Sequence, residues 1–505
     1  MTDVIHHLGL GFLSVFAPLN FAILLLGLVL GLLVAVLPGL TLVMGVVLAL
    51  PFTYGLGVAP AIILLTAMYV SGTYGGAFTS ILFRIPGEPM DVPLLWDGYR
   101  MAQQGDPAKA LGYTLFAALC GGLVSATVMV TLSYPVAQLA LKLSAPEYFA
   151  IIVFGLTSVV CLGGKSQVNG IISLALGLFL ATVGVDGTYG TDRFSFGIPT
   201  LTDGIEYLMV MVGAYGLGEI LTRLEQGFQS GELKQAGRIR TALPSLRELS
   251  VVKATFARSS LIGILVGIVP GAGATVASFV SYGVEGQYGK RRALIGTGIP
   301  EGIVAPQTAA TSSVGGAMIP LMTMGIPGSG ATAIILGAFL LHGMQPGPQV
   351  FVKSPDIVYA VFASVFVSVV GMCLLGYFFI KALVRILDAP EAVVSAFVVL
   401  FCFIGAFASR NSVNDLWVIV AFGILGWLFE KYEFPIAPLV LGSILGPLAE
   451  SNFMTSMLSY QNDWTVFFTR PVSAVLMALS AVVLLLPLLR SWRSRRKARA
   501  LPRNA

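Results

Sequence analysis

Two proline–glycine pairs, Pro38-Gly39 and Pro270-Gly271, stand 232 positions apart in strongly apolar surroundings. A Pro-Gly turn breaks a helix. At membrane depth, a broken helix turns backbone N–H groups and a positive dipole end toward an anion, and carbonyl oxygens toward a cation. Small hydroxyl residues gather at the same places and can bind a carboxylate or complete a sodium shell. Candidate substrate-binding residues are therefore Pro38, Gly39, Thr41, Ser71, Pro270, Gly271, Gly273, Thr275, Thr308, Ser312, Ser329 and Thr332. Candidate ion-binding residues are Gly39, Gly271, Ser313 and Gly328, with sodium as the ion. Each also has a plainer reading. Glycines let helices pack closely, and helical hydroxyls bond back to the carbonyl one turn earlier.

Catalytic constellations are missing from the sequence. The four cysteines, Cys120, Cys161, Cys373 and Cys402, sit in apolar stretches without metal-ligand spacing. The histidines His6, His7 and His342 form no set, and no G-x-x-x-x-G-K-[ST] loop occurs. The chain reads as no enzyme and binds no cofactor beyond a sodium ion. Its energy comes from an ion gradient or a partner, not from ATP bound to the chain itself.

The elements that position the Pro-Gly pairs are membrane helices. Of 505 residues, 56% are hydrophobic and 10% charged, against about 25% charged in soluble domains. Apolar stretches such as Val358–Ile380 and Val472–Leu489 match the thickness of a bilayer core. Barrel-type alternation is absent, so the class is an all-α polytopic membrane protein in contact with lipid. The net charge of +5 collects in a few loops and in the tail Arg490–Arg503. That pattern marks the cytoplasmic side of an inner membrane rather than a nucleic-acid surface.

The chain repeats itself. Leu37-Pro38-Gly39-Leu40 returns as Val269-Pro270-Gly271-Ala272. Gly75-Gly76-Ala77 leading to Ile85-Pro86-Gly87 returns about 240 positions later as Gly315-Gly316-Ala317 leading to Ile326-Pro327-Gly328. Ala145-Pro146-Glu147 returns as Ala389-Pro390-Glu391. The expected organisation is a first membrane repeat over 1–228, a basic cytoplasmic linker over 229–258 (Lys234, Arg238, Arg240, Arg247, Lys253, Arg258), a second repeat over 259–490 and a basic tail over 491–505.

Basic residues flank Ser259–Tyr282 on both sides, so this stretch is expected to dip in and return as a re-entrant hairpin with arms of about 11 residues. The repeat places a similar hairpin at Asn20–Leu50. Spans are expected near 59–83, 111–133, 148–163, 167–184, 205–225, 300–322, 356–380, 392–407, 413–429, 433–449 and 472–489. The fold is thus about 10–12 transmembrane helices plus two re-entrant hairpins, with the halves in inverted orientation. Ala331–His342 reads either as a third re-entrant arm or as a short surface helix. Charges near the membrane are few. Arg84 reads as a cytoplasmic anchor, Glu88, Asp91 and Glu301 as candidates at membrane depth, and Glu147 and Glu391 as helix openers.

Taken together, these motifs resemble the large membrane subunit of the tripartite tricarboxylate transporter family over nearly the whole chain. The matching stretches are Leu37-Pro38-Gly39-Leu40, Tyr74-Gly75-Gly76 through Ile85-Pro86-Gly87, Asp97-Gly98-Tyr99, Val269 through Thr275, Gly325-Ile326-Pro327-Gly328-Ser329 and His342 through Pro348. The resemblance implies a periplasmic solute-binding protein and a small four-helix membrane subunit as partners. It also implies uptake of citrate or another carboxylate, driven by sodium or protons. The sequence leaves a homodimer open. This chain departs from the family with Gln307, Ala310 and Thr311 where an acid and two asparagines are common, and with Arg84 where Asn is common. A membrane scaffold that transports nothing is the alternative, and it would need no polar site at the midplane.

Overall fold

A computed structural model describes residues 2–37, 40–162, 166–186, 190–227, 241–379 and 391–500. Pro38 and Gly39 lie outside them, as do Lys234, Arg238, Arg240, Ala389 and Pro390. The described chain is helical except for one two-residue hairpin, β1 (Gly184–Val185) with β2 (Asp192–Arg193).

The first half runs α1 (Thr2–Val15), α2 (Pro18–Val36), α3 (Leu42–Ala49), α4 (Val58–Phe83), α5 (Leu94–Gln103), α6 (Pro107–Ala140), α7 (Ala145–Leu162), α8 (Gln167–Leu180), α9 (Pro199–Thr202), α10 (Tyr207–Met211) and α11 (Gly218–Gln226). A π-helical turn, Val212–Leu217, joins the last two. The second half runs α12 (Leu246–Ile268), α13 (Gly273–Tyr288), α14 (Pro300–Met324), α15 (Gly330–Leu341), α16 (Val350–Lys353), α17 (Pro355–Phe378), α18 (Glu391–Arg410), α19 (Val413–Lys431), α20 (Ile436–Ser459), α21 (Val466–Thr469) and α22 (Pro471–Ala500).

Among the described residues, seven helices are long and apolar enough to cross a membrane, and seven shorter apolar helices accompany them. The protein is an all-α polytopic membrane protein. The 25-residue α14 is not among the seven. It is rich in Gly, Ala, Ser and Thr, yet every residue from Glu301 to Thr323 is buried. Hydropathy misses it because it faces protein on all sides.

The repeat is visible in contacts. In half one, Gly31 lies against Ser71 and Met68, and Gly75 against Leu32 and Ala35. In half two, Gly263 lies against Ser312 and Ala309, and Gly316 against Ile264 and Gly267. The α2–α4 crossing thus recurs as the α12–α14 crossing, with one register shift of 232 for the first helix and 241 for the second. Small residues let these backbones touch: a Cβ on Gly316 would lie 2.5 Å from the Ile264 carbonyl oxygen. The helix ends repeat too. Arg84 and Gly325, again 241 apart, both close their helices in the left-handed region, at φ 60° and 71°.

The second hairpin differs from the sequence expectation in arm length. The helix α12 does not begin at Ser259. A capping box between Ser245 and Glu248 starts it at Leu246, and it runs 23 residues, about 34 Å. Arg247, Lys253 and Arg258 therefore ride on this helix rather than in a linker. The chain does turn back at Val269–Ala272. Ser281 on α13 donates to Ser259 on α12 at 2.8 Å, and Arg258 pairs with Glu285 across the same gap. The first hairpin also folds back on itself, with Gly45 of α3 against Val34 of α2.

Candidate substrate-binding site

Three helix N-termini meet between the hairpins. A Cβ on Gly330, the first residue of α15, would lie 3.1 Å from a Val43 methyl on α3. A Cβ on Gly273, the first residue of α13, would lie 3.4 Å from the Ser329 Cβ before α15. The Gly271 N–H donates to the Gly328 carbonyl at 3.1 Å, which ties the second hairpin tip to the break between α14 and α15. Each N-terminus leaves its first N–H groups without partners inside the helix. Their dipoles place partial positive charge at one locus.

The three ends are finished differently. On α3, Thr41 Oγ1 accepts from the Met44 N–H at 3.2 Å, and the Leu42 N–H donates to Glu88 Oε1. Glu88 is buried and held by its own box, its N–H donating to Asp91 Oδ2 at 3.1 Å. On α15, Ser329 and Thr332 form the box: the Ser329 N–H donates to Thr332 Oγ1 at 2.8 Å, and the Thr332 N–H to Ser329 Oγ at 3.3 Å. Ser329 also bonds the Tyr69 hydroxyl of α4 at 3.1 Å. On α13 the N-cap residue is Ala272, and no side chain caps the helix.

The repeat makes this difference interpretable. Glu88 and Ser329 are 241 apart, as are Asp91 and Thr332, and the two boxes match atom for atom in role. Leu42 and Ala274 are 232 apart. A carboxyl group therefore sits on the α3 N-terminus in half one. The matching residue in half two is a serine, too short to fill the α13 N-terminus in the same way.

The structure gathers some sequence candidates and disperses others. Thr41, Gly271, Gly273, Gly328, Ser329 and Thr332 border the junction. Pro38 and Gly39 lie outside the described residues. Pro270 is buried in the turn itself, and Thr275 lies in the first turn of α13. Ser71 and Ser312 instead occupy the two repeat-related helix crossings, each bonded to a carbonyl of its own helix, Met68 and Ala309. Ser313 does likewise with Ala310 at 2.7 Å. Thr308 lies deeper in α14, its backbone against Gly121 of α6. Its hydroxyl and Gln307 Oε1 are buried without hydrogen-bond partners, while Gln307 Nε2 donates to the Thr73 carbonyl at 3.1 Å.

Tyr69 joins the junction without being a sequence candidate. It lies two residues before Ser71 on α4. The helix α15 is no surface helix: Ala331 to Phe339 are buried throughout.

The comparisons with known proteins bear directly on these motifs. The family model for the tripartite tricarboxylate transporter TctA family matches residues 21–441, which contain both hairpins and the junction. The chain belongs to the TctA family. It is therefore a membrane component of a tricarboxylate transport system, and the family is one of transporters rather than enzymes. An uncharacterized 52.8 kDa protein in the TAR-I ttuC' 3'region of Agrobacterium vitis is 34% identical over 98% of both chains. A protein in the TAR-II ttuC' 3'region of the same organism is 37% identical over 46% of this chain and 97% of its own length. No solved structure matches. For this TctA-family chain, the junction of α3, α13 and α15 is the place where main-chain donors converge inside the matched region.

Proposed function

We propose that the chain is the permease subunit of a binding-protein-dependent secondary transporter that takes up small carboxylates by alternating access. Its partners are a periplasmic solute-binding protein and a small four-helix membrane subunit, and it works in the inner membrane with its two repeats in opposite orientations. The observation that carries this reading is the pair Glu88 and Ser329. The first repeat holds a carboxyl group on the N-terminus that follows its hairpin tip. The second repeat leaves the matching N-terminus, α13, uncapped. A substrate carboxylate there takes the place that Glu88 takes in half one, bound by N–H groups of the first turn of α13 and by the positive end of its dipole. A sodium or proton gradient drives the cycle. Buried Gln307 Oε1 and Thr308 Oγ1, without partners, are oxygens suited to a cation.

A scaffold that transports nothing has no use for a converging set of helix N-termini. The test places a carboxylate into the second repeat. Ser329→Glu should block uptake of radiolabelled carboxylate in cells with all three components, while Ser329→Gln, of the same size but uncharged, should retain most of it. Membrane expression is checked for both. Equal uptake by the two variants would remove the α13 N-terminus as the binding site.

A further inference from the structure

A cavity of about 510 Å³ lies between α5, α13 and the connection from α13 to α14. It is lined by Arg84, Trp96, Tyr99, Arg100, Gln103 and Tyr282, among others. We propose that this cavity is a second binding site for the small carboxylates the protein moves, with Arg84 and Arg100 as its anion-binding residues. The proposal rests on the reading of the chain as a carboxylate permease.

The two guanidinium groups are positioned before any ligand arrives. Arg84 lies 5.7 Å from the centroid of the Tyr99 ring, a cation–π contact, and Arg100 Nη1 donates to the Gly296 carbonyl. Arginine offers paired donors that match a carboxylate, and both residues keep donors to spare. The acid on α5 does not compete. Asp97 is buried, and its oxygens accept from the N–H groups of Gly296, Gly298 and Ile299 and from the Tyr282 hydroxyl, at 2.7–3.1 Å. Trp96 packs on Tyr282 with ring centroids 4.8 Å apart, giving an aromatic wall.

Arg84 holds a left-handed backbone conformation at φ 60°, where the second repeat has Gly325. An arginine is kept at a position that glycine suits better. Tyr282 stands nine residues along α13 from Gly273, about 14 Å. One helix thus joins the junction to this cavity, and a carboxylate leaving the first can be received by the second.

The experiment uses the full-length protein in neutral phosphatidylcholine vesicles, with citrate as probe and tryptophan emission as readout. Citrate should change the emission saturably, and Trp96→Phe should abolish the change. Arg84→Gly, which relieves the backbone, should weaken the apparent affinity by about tenfold, the loss of one charge-assisted contact. An unchanged affinity in Arg84→Gly, or a response surviving Trp96→Phe, overturns the proposal. So does a response to glycerol phosphate but not to citrate, which would make the cavity a lipid-headgroup site. Carboxylate uptake by wild-type cells is measured alongside. Uptake without a Trp96 response sinks the cavity alone. A Trp96 response without uptake of any carboxylate sinks the permease reading, and with it the cavity's part in transport.

Discussion

At the residue scale, the most informative position is Ser329, and its meaning comes from Glu88. Neither residue is unusual alone. A serine before a helix is a common cap. Under the proposed function, the comparison between repeats makes the helix end beside this serine the place where a substrate carboxylate binds. Glycine at the second tip has a separate, structural duty. Gly271 has φ 82°, and a Cβ there would lie 2.7 Å from the Val159 Cα of α7. Gly273 has φ 60°, but its nearest neighbour to an added Cβ is at 3.4 Å, an ordinary contact. Both substitutions to alanine carry left-handed strain of about 1–2 kcal/mol. Only Gly271→Ala also forces two backbones apart. Gly271→Ala should therefore lower the unfolding temperature in detergent clearly more than Gly273→Ala, and equal shifts would show that the Val159 contact yields easily. Bulky substitutions at Gly271 cannot separate binding from folding, which makes Ser329 the better position for an uptake test.

At the element scale, the two hairpins were legible because Pro-Gly in an apolar stretch has few other uses, and because the repeat supplied the first from the second. The start of α12 was not legible. Arg247, Lys253 and Arg258 are charged and look like linker, but the helix carries them because two are at its solvated end and the third is matched by Glu285 on the opposite arm. The hydroxyls were the least legible. Ser71 and Ser312 sit where sequence alone cannot tell a helix crossing from a binding site. The Arg258–Glu285 pair permits a direct measurement. Glu285 is 2% exposed, so Arg258→Leu strands a buried carboxylate and should cost about 3–5 kcal/mol. The double variant Arg258→Leu with Glu285→Leu should recover most of that loss in thermal unfolding. If the double variant is as unstable as the single one, the pair is not what holds the hairpin arms together.

At the scale of the whole molecule, the halves are interlocked rather than adjacent. The helix α6 of half one packs on α14 of half two through Gly121 and Gly122 against Thr308 and Thr311, and through Ser125 against Gly315. Asp97 binds the loop before α14 with three backbone N–H groups. The sequence marked Asp97-Gly98-Tyr99 as a motif without a role. Its partners lie about 200 positions away, so only the fold could supply them. Asp97→Asn replaces one acceptor oxygen by an N–H₂ group facing other donors. It should cost about 2–3 kcal/mol and make the 289–299 loop the first site of proteolysis. Wild-type cleavage at that loop would mean that Asp97 does not hold the halves together.

The matched boxes of Glu88 with Asp91 and Ser329 with Thr332 also bear on stoichiometry under the proposed function. Two equivalent helix N-termini, one per repeat, would offer a substrate carboxylate two places to bind. Here the tethered carboxyl group of Glu88 already fills one of them. Under the proposed function, one place remains, for a single substrate carboxylate per turnover. The symmetry of the fold and the asymmetry of its transport then differ by the length of one side chain.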